Sequence, residues 1–259
     1  MNKFIAMLLV LTMAVSLAAC GTTENAETTA GTTAAATTEA TTEATTEATE
    51  AATEATEAVT VMTHDEFVAA ELDTEVVVET YVQAVESWYD GACHIYALSD
   101  DGGYYIYGYA CTEDEAAALV PGTPIRVTGY KTEWSGEVEI ADATIEILDN
   151  DPTYFGAKDV TEQATAGDLA AYMNDLVVIN GMTVVASTDA NGEEAPFLYK
   201  WDGSGSQGDD LYFNVSIGEQ VYTFTVNVYM IGTGADSDVY KAVEALQIGD
   251  VINVEGFLY

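Results

Sequence analysis

Apolar and polar positions alternate along most of the chain after residue 59, and this period of two predicts β-strands. Turn-forming residues divide the pattern between residues 62 and 148 into three strands, a short helix and two further strands. The predicted segments are, in chain order, strands at 76–85, 93–99 and 104–110, a helix at 112–119, and strands at 125–132 and 138–148. The capping-box spacing of Thr63 and Glu66 predicts another short helix, which ends at Glu71.

An internal repeat divides this β-rich part into two copies. Residues 119–130 and 246–257 share the frame L-x-x-G-x-x-I-x-V-x-G-aromatic, and each follows a short acidic stretch of helical character. Two copies of one motif in the same order indicate two copies of one domain. We therefore expect domains at 59–150 and 151–259.

Copy two departs from copy one at two places. It has a long insertion at 187–210, with a further short strand at 197–201, and it stops shortly after Gly256. The matching Gly129 of copy one is still followed by a fifth strand, so copy two is expected to lack its last strand. The gap could be filled by the continuation of a truncated sequence, by residues 152–160 or by a strand from a partner.

Three strands, a helix and two more strands is the element order of the OB-fold, a five-stranded Greek-key barrel. The sequence resembles the OB domains of exported bacterial lipoproteins and of the tRNA-anticodon-like superfamily, over most of 62–148 and less regularly over 168–259. Structural glycines and strand periodicity carry this resemblance. It implies two tandem OB-fold-like barrels, each with a short helix between strands three and four, and implies little about function.

The N-terminal pattern is that of a signal peptide. Lys3 precedes an apolar run at 4–17, which is too short for a membrane span, and Leu-Ala-Ala-Cys-Gly follows at 17–21. This ending resembles the lipobox of bacterial lipoproteins. The resemblance implies that residues 1–19 are removed and that acylated Cys20 anchors the protein in the lipid bilayer. The alternative is an ordinary secretory signal with a Cys there by chance.

Residues 20–58 are predicted to be a disordered tether. From residue 21 onward they are mostly Thr, Ala and Glu, with no apolar residue except Ala, so they cannot bury enough surface to offset the entropy of ordering. Charge repulsion and glycosylation of the Thr residues would extend the segment. An Ala/Glu helix is the alternative, although the Thr content is high for one.

The chain is strongly acidic. It has 44 Asp and Glu against 6 Lys and Arg, a formal net charge of −38. Phosphate binding needs clustered Lys and Arg, so the charge argues against a nucleic-acid partner. We therefore expect no nucleic-acid ligand.

No catalytic, cofactor or metal motif stands out. His64 and His94 are the only histidines, and neither lies near a nucleophile motif. Two acidic turns, at 99–103 and 208–210, do not match an EF-hand loop and are better explained as solvated hairpin turns. We expect no enzyme activity, no cofactor and no metal site.

Two cysteines fall on neighbouring predicted strands. If the hairpin is centred on Gly102, Cys93 and Cys111 lie opposite each other, near disulfide distance. A shift of the turn by one residue breaks this match. A cross-strand disulfide and two free, half-buried thiols both remain open.

Aromatic residues are the best indication of a ligand site. OB-folds bind through loop 1–2, loop 4–5 and the face between them. These loops hold Trp88, Tyr89 and Trp134 in copy one, and loop 1–2 of copy two holds Tyr199 and Trp201. Exposed rings beside acidic residues suit sugars or extended and basic peptides. The alternative is that the rings close the ends of the barrels.

These features predict a membrane-anchored lipoprotein on the extracytoplasmic side of the cell membrane. Its two OB-fold domains are expected to bind a non-nucleic-acid ligand, either cell-wall carbohydrate or an envelope protein. The alternative is a structural or adaptor subunit of a cell-envelope protein complex.

Overall fold

The computed structural model describes residues 60–259 and, as backbone only, Ala6–Leu9. The predicted lipidation site Cys20, the predicted tether at 20–58 and the remainder of the predicted signal peptide at 1–19 lie outside the described residues. The two barrels lie within one compact unit.

The described elements begin with β1 (Ala6–Leu9), α1 (His64–Ala69), β2 (Glu75–Val85), β3 (Ala92–Leu98), β4 (Gly103–Ala110), α2 (Glu113–Ala118), β5 (Pro124–Trp134) and β6 (Glu137–Ile147). They continue with β7 (Lys158–Asp159), α3 (Thr161–Ala166), a 3-10 turn (Ala170–Tyr172), β8 (Leu176–Val185), β9 (Ser187–Thr188), β10 (Glu194–Ala195) and β11 (Leu198–Tyr199). The last are β12 (Leu211–Ile217), β13 (Gln220–Val226), α4 (Asp238–Glu244) and β14 (Val251–Leu258).

The first barrel is a closed five-stranded OB-fold, as predicted. Its strand order is β2-β3-β4-β6-β5, and β5 pairs with β2 to close the ring. Both of its helices begin at a capping box, in which a Thr hydroxyl and a Glu carboxylate satisfy backbone N–H groups at the first turn. Alternate residues of the strands form its core, among them Val76, Ile95, Ile106, Val127 and Ile140.

The second barrel repeats this topology with four strands of its own. The strands β8, β12, β13 and β14 surround a core that includes Phe213, Phe224 and Tyr240. The strand β12 pairs with both β13 and β8. The insertion at 187–210 adds β9, β10 and β11, and β11 confirms the short strand predicted at 197–201.

The missing fifth strand of barrel two is replaced by β1 from the N-terminal segment. This strand lies between β13 and β14, parallel to the first and antiparallel to the second. Of the expected fillers, residues 152–160 do not occupy the gap, whereas a continuation of the sequence and a strand from a partner stay predictions. Residues 152–160 contribute β7 instead, which pairs with β8 at a different edge of the sheet.

The tip of the β3–β4 hairpin fixes how the barrels pack. A side chain at Gly103 would place its Cβ 2.2 Å from the backbone oxygen of Asn174, so only glycine allows this contact. The Asn174 side-chain amide donates a hydrogen bond of 2.8 Å to the Val138 carbonyl of barrel one. Beside this contact lies an apolar cluster shared by both barrels: Ala84, Tyr96, Leu98, Tyr105, Met230 and Phe257.

The predicted hairpin register that placed the two cysteines directly opposite each other is wrong. Cys93 lies opposite Tyr109, and Cys111 follows the end of β4. The reason is the turn, which is closed by a hydrogen bond from Ser99 N–H to the Gly102 carbonyl and is therefore centred before Gly102. The two sulfur atoms are still only 3.8 Å apart, as unbonded thiols, so the disulfide itself stays a prediction.

Across the described residues, no helix has the length and apolar character needed to cross a bilayer.

Substitution of Gly103 tests whether the close barrel contact determines stability. We expect Gly103→Ala to lower the free energy of unfolding by about 1–3 kcal/mol, because the added methyl forces backbone atoms apart. Gly156→Ala is the matched control, since an added Cβ there has no atom within 4 Å. It should change stability by less than about 0.5 kcal/mol in urea denaturation. Equal stability of the two variants would contradict the claim that the close contact between Gly103 and Asn174 determines stability.

Candidate functional site

The usual ligand face of an OB-fold is half covered in barrel one. Outside the barrel core, β3 and β4 carry His94, Tyr96, Tyr105 and Tyr107, whose rings form a continuous series of contacts. Phe257 of barrel two stacks on Tyr96 with ring centroids 4.4 Å apart. As a result Tyr96 and Tyr105 are buried, whereas Tyr107 remains 49% exposed.

The predicted loop aromatics differ in exposure. Tyr89 is 82% exposed, Trp134 73% and Trp201 76%, so these three rings do not plug the barrels. Trp88 is partly covered, and its indole N–H donates a hydrogen bond of 2.8 Å to the Cys111 carbonyl. Tyr199 packs against the core of barrel two, and its hydroxyl donates a hydrogen bond of 2.6 Å to Glu244.

These aromatics do not combine into one platform. Among the ring contacts of the described residues, none joins two of Trp88, Trp134 and Trp201. Trp134 ends β5 of barrel one, whereas Trp201 follows β11 of barrel two. That these five residues bind a ligand therefore stays a prediction, and it concerns separate loops rather than one shared site.

A cavity of about 630 Å³ lies between the barrels, at a place that the sequence analysis did not single out. We call it the inter-barrel cleft. Its walls are the end of β2 at 83–85, residues 116, 117 and 119–121 at the end of α2 and in the following turn, the linker at 154–157, residues 231–233, and parts of β8 and β14. The signal that sequence reasoning missed is the apolar character of the linker, which contains Tyr154 and Phe155.

The polar groups of the cleft are few and mostly engaged. The Gln83 amide donates to the Tyr81 and Val82 carbonyls and accepts from the backbone N–H of Phe155. The Thr233 hydroxyl donates to the Met230 carbonyl. Glu255 is also a lining residue, and it too has an interaction partner. The cleft is therefore an apolar space with one acidic group.

A group of carboxylates lies close to the barrel contact. Desolvation by partial burial raises the pKa of the Glu137 carboxyl to about 8, although the Tyr96 hydroxyl opposes the shift by donating a hydrogen bond of 3.2 Å. Burial likewise raises the pKa of Glu86, which accepts a hydrogen bond of 2.7 Å from the Asn227 amide. These acids therefore favour the protonated form more than exposed carboxylates do.

The two histidines are held by structural hydrogen bonds. His94 Nδ1 accepts from the backbone N–H of Gly108 at 3.1 Å, and burial lowers its pKa. His64 Nε2 lies 3.2 Å from the Gly103 carbonyl oxygen. Within the described residues, no cluster of three or more His, Cys, Asp or Glu side chains is arranged to hold a metal ion.

Comparison with known proteins gives no family: no protein-family model and no curated protein matches the chain. Solved structures match with low identity. One is a murine DNA binding protein bound with ds DNA, with 6% identity and a TM-score of 0.30 over 57% of this chain and 72% of that chain.

Two other matching structures are also DNA complexes. The Ifi202 HINa domain with 20bp dsDNA has 10% identity and a TM-score of 0.28, over 60% of this chain and 74% of that chain. A Replication Protein A heterotrimer bound to ssDNA has 11% identity and a TM-score of 0.26, over 59% of this chain and 38% of that chain. At these identities the similarity concerns the fold alone and assigns no ligand to this chain.

These complexes contradict the expected absence of a nucleic-acid partner, and with it the expected carbohydrate or protein ligand and the adaptor alternative. The error was to exclude a nucleic-acid partner on the basis of net charge alone. Net charge governs long-range, non-specific attraction, whereas exposed aromatic rings stack on bases through local contact. We therefore withdraw the ligand class inferred from charge.

The raised pKa of Glu137 predicts how stability depends on pH. The carboxyl binds its proton more tightly in the folded protein than at its ordinary value of 4.5, so stability is lost as pH rises from 4.5 to about 8. Between pH 5 and 8 the unfolding free energy of the wild type should fall, and that of Glu137→Gln should fall by about 1 kcal/mol less. This value is smaller than the full pKa shift implies, because the carboxyl is partly solvated. Exposed Glu133→Gln, on the same hairpin, is the control. Identical pH profiles of the two variants would refute the assignment.

Proposed function

We propose that this protein binds a small, mainly apolar molecule in the inter-barrel cleft, without catalysing a reaction. The observation that carries the proposal is the cavity of about 630 Å³. Small-molecule sites usually occupy about 300–1,000 Å³, are lined mainly by apolar side chains and favour domain interfaces. The cleft has all three properties.

The lining also indicates the charge of the ligand. Leu119, Ile231 and Phe257 provide apolar surface, and Glu255 is the one acidic residue among those that line the cleft. We therefore propose a neutral ligand.

Binding of the neutral dye N-phenyl-1-naphthylamine tests the cleft. Ala117 and Ala118 are neighbouring exposed residues at the end of α2, but only Ala117 lines the cavity. We expect Ala117→Trp to weaken dye binding at least about tenfold by filling the space, an effect of about 1.4 kcal/mol. Ala118→Trp should bind like the wild type in a fluorescence titration. Equal weakening in both variants, or binding unchanged in both, would contradict the proposal.

We also propose that the protein is exported and held at the extracytoplasmic side of the membrane by acylated Cys20. The support is the Leu-Ala-Ala-Cys-Gly motif at the end of the apolar N-terminal run. Two or three acyl chains hold a protein stably, since each buried methylene contributes about 0.8 kcal/mol.

Cys20→Ser tests the anchor. Loss of the acylated thiol should release the protein from the membrane fraction or leave the precursor uncut, and the mass of the N-terminal peptide distinguishes these outcomes. Cys111→Ser is the control, because it removes a thiol that lies outside the motif. Membrane fractionation of Cys20→Ser that equals the control would rule the anchor out.

A further inference from the structure

Cys93 and Cys111 are two neighbouring thiols with unequal access to solvent, and we call them the thiol pair. Their sulfur atoms lie 3.8 Å apart, and both cysteines are free. Cys93 is 1% exposed and belongs to the core of barrel one, whereas Cys111 is only partly buried against that core. A reagent in solution therefore meets Cys111 first.

The backbone around the thiol pair holds the two sulfur atoms near each other. Cys93 pairs with Tyr109, and Tyr109 and Cys111, two residues apart, both pack against the core of barrel one. The Cys111 N–H donates a hydrogen bond of 2.9 Å to the Gly91 carbonyl, and the Trp88 indole donates one of 2.8 Å to the Cys111 carbonyl. A disulfide needs a sulfur separation of about 2.05 Å, so the side chains have to approach by less than about 2 Å to form one.

Burial and nearby charge favour the protonated form of both thiols. Burial raises the pKa of the Cys93 thiol to about 12, and Cys111 and Glu86 add to the rise. Burial also raises the pKa of the Cys111 thiol, and Glu115 adds to the rise. Only a thiolate attacks a disulfide, so both thiols react slowly at neutral pH. The order in which they react is therefore set by access, which favours Cys111.

We propose that Cys111 is a modification site for low-molecular-weight disulfides and that Cys93 is its resolving thiol. In the first step the Cys111 thiolate attacks the small disulfide R–S–S–R, which forms the mixed disulfide Cys111–S–S–R and releases one R–SH. In the second step the Cys93 thiolate attacks Cys111 Sγ, which forms the internal disulfide and releases the second R–SH. The thiol pair loses two electrons and two protons, and the small disulfide gains them.

The internal disulfide would connect β3 to the helix that borders the inter-barrel cleft. Cys111 directly precedes Thr112, the N-cap of α2, and residues 116 and 117 of this helix line the cleft. Neither cysteine lines the cleft itself. The modification site is therefore separate from the proposed ligand site, and it stands on the position of the two thiols alone.

Alkylation of the reduced, native chain tests the order of access without a substitution in the thiol pair. The chain has three cysteines, so Cys20→Ser leaves only the thiol pair to react. We expect iodoacetamide to label Cys111 at least about tenfold faster than Cys93, because the Cys93 side chain is buried. Peptide mass spectrometry at successive times measures both rates. Equal rates, or faster labelling of Cys93, would overturn the assigned order.

Reaction with 2-hydroxyethyl disulfide separates the two steps in the same Cys20→Ser chain. With the thiol pair intact, the reaction should end with the internal disulfide and no bound mercaptoethanol group. Cys93→Ala should keep one such group on Cys111, because the resolving thiol is missing. Cys111→Ser is the matched control, and its native state should react at least about tenfold more slowly than Cys93→Ala. Intact-protein and peptide masses report each product.

Three outcomes of this reaction would overturn the proposal. They are a stable mercaptoethanol group on Cys111 while Cys93 is present, no group on Cys111 in Cys93→Ala, and equal reaction rates of Cys93→Ala and Cys111→Ser. The alkylation result does not depend on whether Cys93→Ala folds, since it uses a chain with both thiols in place.

Discussion

The two barrels depend on one requirement: each strand must find hydrogen-bonded neighbours along both of its edges. A five-stranded barrel removes all edges only if the fifth strand lies between the third and the fourth. Barrel one meets this requirement with β6, which follows directly after β5. Barrel two meets it with β1, a strand that lies far away along the chain. The same pairing requirement is thus met by a strand of the same copy in barrel one and by a distant segment in barrel two.

Packing of the second barrel on the first decides where a ligand can reach. The contact of Gly103 with Asn174 and the stack of Phe257 on Tyr96 bury much of the face that OB-folds commonly use. The same approach, bridged by a linker with Tyr154 and Phe155, encloses the inter-barrel cleft. Loss of one surface and creation of another are thus two results of a single packing arrangement.

The OB-fold and the net charge of the chain give different kinds of information about which ligand it binds. The OB-fold concerns backbone topology and not the chemistry of a site. Net charge concerns long-range attraction and not local contacts. A ligand is selected by the shape and polarity of a particular surface, and the described residues provide such a surface between the barrels.

The sequence by itself determined the local elements of this protein. The capping box at Thr63, the strand alternation and the shared repeat frame all act over a few residues, so they indicated the helices, strands and OB order correctly. Only the tertiary structure decided the cysteine register, the pairing of β1 with β13 and β14, and the inter-barrel cleft. Each depends on contacts between distant segments, and the periodicity of one segment holds no information about which other segment it meets.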